Sequence, residues 1–133
     1  MKYMLMMHAP GSATGDYQIN NWSPEDFQAH LEFMFALNRE LTRLGELVAA
    51  EGLAPPGQAR VVRAGKNGAP AVTDGPFPES KEFLAGYWIV EVDSTERAYA
   101  IAAKASSAPG PGGAPLFIPI EVRQVMSLPS TDG

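Results

Sequence analysis

The sequence predicts an α+β domain in which an antiparallel sheet carries two helices on one face. Two segments begin with helix-start residues and continue with an apolar stripe at helical spacing. Shorter segments between and around them are rich in aromatic and β-branched residues, as strands are. The chain has 133 residues, so we expect a single domain over residues 1–133 with a frayed tail from about residue 127.

The first strand is predicted over residues 2–8. Tyr3, Leu5 and Met7 alternate there with Met4 and Met6, and both sets are apolar. A strand of this kind is covered on both faces of its sheet. Residues 9–21, rich in Gly, Asn, Ser and Pro, predict a loop.

A long helix is predicted to follow that loop. Ser23 suits the N-cap, Pro24 the first helical position, and Asp26 the acidic position of a capping box. The helix should run to about Leu44 and end at Gly45 in a left-handed cap. Its apolar face, at 100° per residue, consists of Phe27, Leu31, Met34, Leu37, Leu41 and Leu44.

The middle of the chain reads as strands. Residues 46–51 predict a short strand and 52–57 a Pro-rich loop. Residues 60–64 and 69–73 flank a Gly-Lys-Asn-Gly turn and predict a hairpin. Residues 83–92 are the clearest strand, and Gly86 within them indicates a bulge or a close backbone approach.

A second capping signature at residues 93–96 predicts a short alanine-rich helix to about residue 105. Residues 106–115 then predict a Gly/Pro loop and 117–126 the last strand. This order of elements is that of the ferredoxin-like split βαβ plan. Since the sheet face away from the helices is also apolar, we expect a second copy to cover it, giving a homodimer of the dimeric α+β barrel type.

Composition excludes several classes of function. The formal net charge of −5 disfavours nucleic acid as a partner. The absence of cysteine excludes disulfides, thiolate metal sites and cysteine nucleophiles. No stretch of about 20 apolar residues could span a bilayer. We therefore expect a soluble, cytoplasmic protein without a membrane partner.

Two polar residues interrupt the apolar face of the long helix. His30 lies between Leu37 and Leu41 around the helix and therefore points toward the sheet. It is either a proton-transfer group or a core histidine with satisfied ring nitrogens. Asn38, two turns along the same face, is either a ligand-binding residue or a paired polar group, and the pair is favoured.

Two cations are candidates for binding a small anionic ligand. Lys81, in the charge cluster Glu79–Lys81–Glu82, either binds an anion or belongs to a solvated surface, and Arg123 is either a carboxylate clamp or a member of an inter-strand ion pair. His8 and His30 have no metal-ligand spacing, so we expect no metal site. The Gly-rich residues 110–113 lack the lysine and helix of a phosphate loop.

Several segments together carry a resemblance to a known family. They are residues 72–82, with Asp74-Gly75-Pro76-Phe77 at their core, then Gly86-Tyr87, Glu121-Val122-Arg123 and the opening residues 1–6. In this respect the chain resembles the group of YCII-related proteins named for the Asp-Gly-Pro-Phe motif. The resemblance covers nearly the whole chain and implies a ferredoxin-like fold and dimerisation.

The same resemblance implies a histidine–aspartate pair, which here would be His30 on the first helix and Asp74. Asp74 has an alternative role, because an aspartate that opens a Gly-Pro turn commonly bonds its own backbone. The wider family includes a dehydrochlorinase, and proteins of the group often accompany sigma factors.

Two functions therefore stay open. One is a small lyase or isomerase, with His30 as base, Asp74 as its partner and Lys81 or Arg123 holding the carboxylate of a compact cyclic acid, without an organic cofactor. The other is a non-catalytic module that binds a ligand or a partner in a regulatory system.

Overall fold

A computed structural model describes residues 1–10, 21–75 and 82–127 of the chain. In chain order the elements are β1 (Lys2–Pro10), α1 (Pro24–Arg43), β2 (Leu47–Gly52), β3 (Arg60–Ala64), β4 (Pro70–Asp74), β5 (Glu82–Glu91), α2 (Thr95–Ser106) and β6 (Ile120–Gln124). The predicted tail beyond residue 127 lies outside the described residues. Within the described ranges, no helix is both long and apolar enough to cross a bilayer.

Four strands form one antiparallel sheet in the order β2–β5–β1–β6. This is the strand order of the ferredoxin-like fold, in which the first and third sheet strands are central and the second and fourth are edges. Strands β3 and β4 form a separate two-stranded sheet inserted between β2 and β5. The predicted α+β fold is confirmed.

Both helices begin at the residues that the sequence indicates. The Ser23 hydroxyl accepts a hydrogen bond from the Asp26 backbone N–H at 3.2 Å, and Ser94 caps α2 through the Arg97 N–H at 3.1 Å. Gly45, with φ +72°, follows the C-cap of α1. The Asp26 carboxylate accepts a hydrogen bond from the Gly112 backbone N–H at 3.2 Å, so it fastens a distant loop to this helix.

The core lies between the two helices and one face of the sheet. Its most completely buried side chains are Leu5, Leu41 and Val90, and the alanine stripe of α2 packs against them. Phe27 and Leu44, expected on the buried face of α1, are 41% and 45% exposed. Leu44 is the C-cap residue beyond the last turn, and Phe27 borders an open cavity.

The last strand is shorter than predicted, covering five residues rather than the span 117–126. Phe117 has a left-handed φ of +53°, and the Ile118 carbonyl accepts a hydrogen bond from the Ser106 hydroxyl at 2.7 Å. Pro119 has no N–H to give to a neighbouring strand. Regular pairing therefore begins only at β6, although the Pro119 carbonyl accepts a long hydrogen bond from the His8 N–H at 3.4 Å.

Gly86 confirms the predicted close approach of two backbones. A Cβ at this position would lie 2.9 Å from the Glu51 carbonyl oxygen on the neighbouring strand. The pairing of β1 with β5 also shifts register beside it, between Met7 and His8. Such a bulge bends the strands locally and changes the directions of the side chains that follow.

The sheet face away from the helices is apolar at its centre and charged at one edge. Met4, Met6, Tyr87 and Ile89 are half-buried there, and β6 places Arg123 opposite Met4 and Glu121 opposite Met6. We call this set, with His8, the outer sheet face. His8 Nε2 lies 2.9 Å from the Glu121 carboxylate and so belongs to the same face.

One ion pair joins α2 to the turn before β2. Arg97 donates to both carboxylate oxygens of Glu46, with its closest contact at 2.7 Å. This hydrogen bonding to Arg97 holds the pKa of the Glu46 carboxyl below its ordinary value. Because the pKa of Glu46 is depressed in the folded protein, the pair stabilises the fold fully at pH values above the ordinary pKa of a glutamate. This stability is lost as the pH falls through the pKa of the folded state.

We expect Glu46→Gln to lower the free energy of unfolding by about 1 kcal/mol at pH 7, at the upper end for solvent-accessible pairs because the contact is bidentate. The difference between the two proteins should shrink on acidification below about pH 4. Urea unfolding at both pH values measures it. Glu40→Gln, which removes the exposed pair with Arg43, is the control, and an equal loss in both variants would contradict the assignment.

Candidate functional site

His30 is held in place by a backbone carbonyl. Its side chain is almost fully buried, and Nδ1 lies 3.0 Å from the carbonyl oxygen of Pro109. The indole of Trp22 meets the imidazole edge-on, with ring centroids 5.3 Å apart. Because a carbonyl oxygen only accepts hydrogen bonds, Nδ1 must carry the proton in this contact.

The other ring nitrogen of His30 is available. Nε2 has no hydrogen-bond partner within the ranges that the structure covers. Nor is any side-chain nitrogen or oxygen of those residues both fully buried and unpaired, so Nε2 retains access to solvent. In the neutral imidazole with Nδ1 protonated, Nε2 carries the lone pair and is a hydrogen-bond acceptor.

The Gly/Pro loop after α2 brings Pro109 to His30. Ala108 accepts a hydrogen bond from the Leu116 N–H at 2.9 Å, which closes the loop on itself. A Cβ at Gly110 would collide with the Leu116 side chain, so a larger residue there would make that side chain move. The loop is fastened to α1 twice, by the Pro109 carbonyl on His30 and by the Gly112 N–H on Asp26.

A cavity of about 510 Å³ lies between α1 and the sheet, and we call it the helix-side cavity. Its volume falls within the usual range for small-molecule sites. Most of its lining is apolar. From α1 it receives Phe27, His30, Leu31, Met34, Phe35 and Asn38, and from the strands mainly Met7, Ala50, Glu51 and residues 85–88.

Asn38 lines the same cavity and is paired, as the sequence favoured. Its Oδ1 accepts a hydrogen bond from the indole N–H of Trp88 at 2.8 Å. Since an indole nitrogen only donates, this contact fixes the orientation of the amide group. The Nδ2 of Asn38 has no partner among the described residues.

Charge within the lining of the helix-side cavity is sparse. Glu51 is the one acidic residue among the described lining residues, and neither lysine nor arginine is among them. Arg39 and Arg43 border a shallow depression that adjoins the helix-side cavity and shares Phe35 and Asn38 with it. Among the described lining residues, a ligand in the helix-side cavity therefore meets apolar side chains and the polar residues His30, Asn38 and Glu51 rather than a cationic clamp.

The structure does not join Asp74 to His30. The Asp74 side chain is 97% exposed and pairs with Arg60 at 3.4 Å, on the inserted hairpin. It neither lines the helix-side cavity nor lies within ion-pair distance of the imidazole. Pro76 and Phe77 of the Asp-Gly-Pro-Phe motif, and with them Lys81, lie outside the described residues.

Arg123 lies on the opposite face of the sheet from His30. Its guanidinium is 72% exposed and 3.9 Å from Glu121. Within one chain, Arg123 is therefore not placed to hold a carboxylate in the His30 site. Its contact with Glu121 lies within β6, so it differs from the inter-strand ion pair that was the alternative. Glu121 also contacts His8, a histidine–carboxylate pair that sequence reasoning missed. The pair could have been predicted from the pairing of β1 with β6, because His8 and Glu121 then lie on the same face of neighbouring strands.

Comparison with known proteins is consistent with the fold. The sequence model of a family described as the YCII-related domain matches residues 1–111. An uncharacterised protein of Rhizobium meliloti is 29% identical over 109 residues, which is 82% of this chain and 87% of the relative. The residues matched by the family model include the helix with His30 and the loop residue Pro109.

We expect side-chain nitrogen NMR to find neutral His30 as the tautomer protonated at Nδ1, because Pro109 accepts that proton. Long-range proton–nitrogen correlation spectra at a pH where His30 is neutral report the tautomer directly. Asp74→Asn should leave the ring-nitrogen signals of His30 unchanged, whereas Asp26→Asn, which loosens the loop, should move them. A response to Asp74→Asn alone would restore the histidine–aspartate pair.

Proposed function

The chain belongs to the YCII-related family, and we propose that this member binds a compact, largely apolar small molecule in the helix-side cavity, with His30 as its polar anchor. The observation that supports this most directly is the Nδ1 contact with Pro109, which leaves Nε2 as an unpaired acceptor on a cavity-lining residue. Sites for small molecules typically combine an apolar lining with a few fixed polar groups.

The charges around the cavity favour a neutral ligand. A carboxylate entering it would meet Glu51 and no cation among the described lining residues. Burying an unpaired charge in such surroundings is costly. We therefore propose a neutral ligand of aromatic or cyclic shape instead of the anionic ligand expected from the sequence.

Proton transfer, as in a small lyase or isomerase, is the second candidate function. The fixed tautomer favours it, because a neutral imidazole with a free Nε2 is suited to act as a general base. Among the described residues, however, the ring has no carboxylate partner. Recovery of a bound ligand with its structure unchanged would favour binding alone, and recovery of an isomerised or eliminated product would favour catalysis.

We further propose that a second copy covers the outer sheet face. The half-buried apolar strip of Met4, Met6, Tyr87 and Ile89 is edged by residues of both signs, Glu121 and Arg123. A two-fold axis brings the same patch of both chains together. Each chain's arginine would then meet acidic side chains of the other.

We expect neutral aromatic fragments such as benzamide to shift the amide NMR signals of residues lining the helix-side cavity, and benzoate to bind more weakly. Met34→Trp should abolish the shifts, because the larger side chain fills the cavity that Met34 lines. Two-dimensional amide spectra during titration provide the measurement.

Val62→Trp is the matched control, since Val62 is exposed on the separate hairpin. Equal binding of benzamide by the wild-type protein and a folded Met34→Trp variant would exclude the cavity as the site.

Ile89→Glu should convert a dimer to a monomer, because a charge at the centre of the outer sheet face opposes burial. Sedimentation velocity at micromolar concentration measures the association state. The control is Val62→Glu, an equally drastic change outside that face. A wild-type protein that sediments as a monomer would refute the proposed dimer.

A further inference from the structure

Two polar residues that line the helix-side cavity, His30 and Asn38, each have one hydrogen-bonding atom of known type without a partner among the described residues. At His30, Pro109 occupies Nδ1 and leaves Nε2, an acceptor in the neutral ring. At Asn38, Trp88 occupies Oδ1 and leaves Nδ2, which only donates. Neither assignment depends on choosing a tautomer or an amide orientation, because in each case the chemistry of the protein partner dictates it.

The spacing of the two residues along α1 limits the shape of the ligand. His30 and Asn38 are eight residues apart on α1, which is about 12 Å along a helix that rises 1.5 Å per residue. Between them on the cavity side lie the apolar residues Leu31 and Met34. A ligand that reaches both groups has its polar atoms at opposite ends and an apolar body in the middle.

We infer that the helix-side cavity recognises a neutral molecule with a hydroxyl or N–H donor at one end, bound by His30 Nε2, and a carbonyl acceptor at the other, bound by Asn38 Nδ2. This inference rests on the proposed binding function and adds the class of ligand. It also gives a role to the protein groups that hydrogen-bond these two side chains. Pro109 and Trp88 act as positioning residues that decide which hydrogen-bonding atom faces the ligand.

Three neutral probes of nearly the same shape test the inference. p-Hydroxybenzylacetone carries a phenol donor and a ketone acceptor at its two ends. p-Methoxybenzylacetone lacks the donor, and p-butylphenol lacks the acceptor. We expect the first to bind about three- to tenfold more tightly than either of the others, since a typical net hydrogen bond has that effect.

Two variants identify the residue that reads each end. His30→Asn retains an amide N–H for the Pro109 carbonyl but has no atom in place of Nε2. It should weaken binding of the two phenols and leave p-methoxybenzylacetone unaffected. Asn38→Asp retains an acceptor for the Trp88 indole but has no donor, so it should weaken binding of the two ketones and leave p-butylphenol unaffected.

Amide spectra confirm that each variant is folded, and titration gives the dissociation constants. The indole N–H signal of Trp88 provides a local readout, because ketones that bond Asn38 should move it more than p-butylphenol does. Equal weakening of all three probes in each variant, or no weakening, overturns the donor–acceptor inference. So does a failure of all three to bind, whereas binding of benzamide in the same cavity would leave the proposed function standing.

Discussion

The hydrogen bond between His30 and the Pro109 carbonyl fixes both the chemistry and the shape of the site. It assigns the ring proton to Nδ1 and fastens the loop after α2 to the first helix. The Gly112–Asp26 contact, one helical turn before His30, adds a second attachment. Because both attachments are made by backbone groups of one closed loop, a change in loop length would displace them together.

The sheet separates five of the polar residues discussed above into two groups. His30 and Asn38 lie on the helix side, where the core and the cavity share the space beneath α1. His8, Glu121 and Arg123 lie on the outer sheet face, because side chains alternate along a strand. Because the sheet lies between the two groups, a small ligand beside His30 does not reach Arg123 of the same chain. The structure therefore opposes a mechanism that combines these two residues within one chain.

Local signals in the sequence were sufficient for the elements and for one side of the site. The capping residues predicted where both helices begin. The apolar periodicity of α1 predicted that His30 and Asn38 lie on its inner face. The role of Asp74 could not be obtained in this way, since it depends on whether the inserted hairpin folds back over α1. In the structure the hairpin forms its own sheet, and the carboxylate faces solvent beside Arg60. Nothing in the sequence could predict that the Pro109 carbonyl contacts His30. Every residue has a backbone carbonyl, and only the tertiary structure determines which one lies beside the imidazole.

The partner of a histidine determines which role suits it. A carboxylate stabilises the imidazolium that forms when the ring takes up a proton, and this is why it accompanies catalytic histidines. A backbone carbonyl fixes the tautomer equally well but carries no net charge to offset the one that protonation creates. In the described structure His30 has the carbonyl, and Asp74 is committed elsewhere. The arrangement therefore favours recognition of a ligand's donor group over abstraction of its proton. Of the two candidate functions, it supports ligand binding better than it supports catalysis.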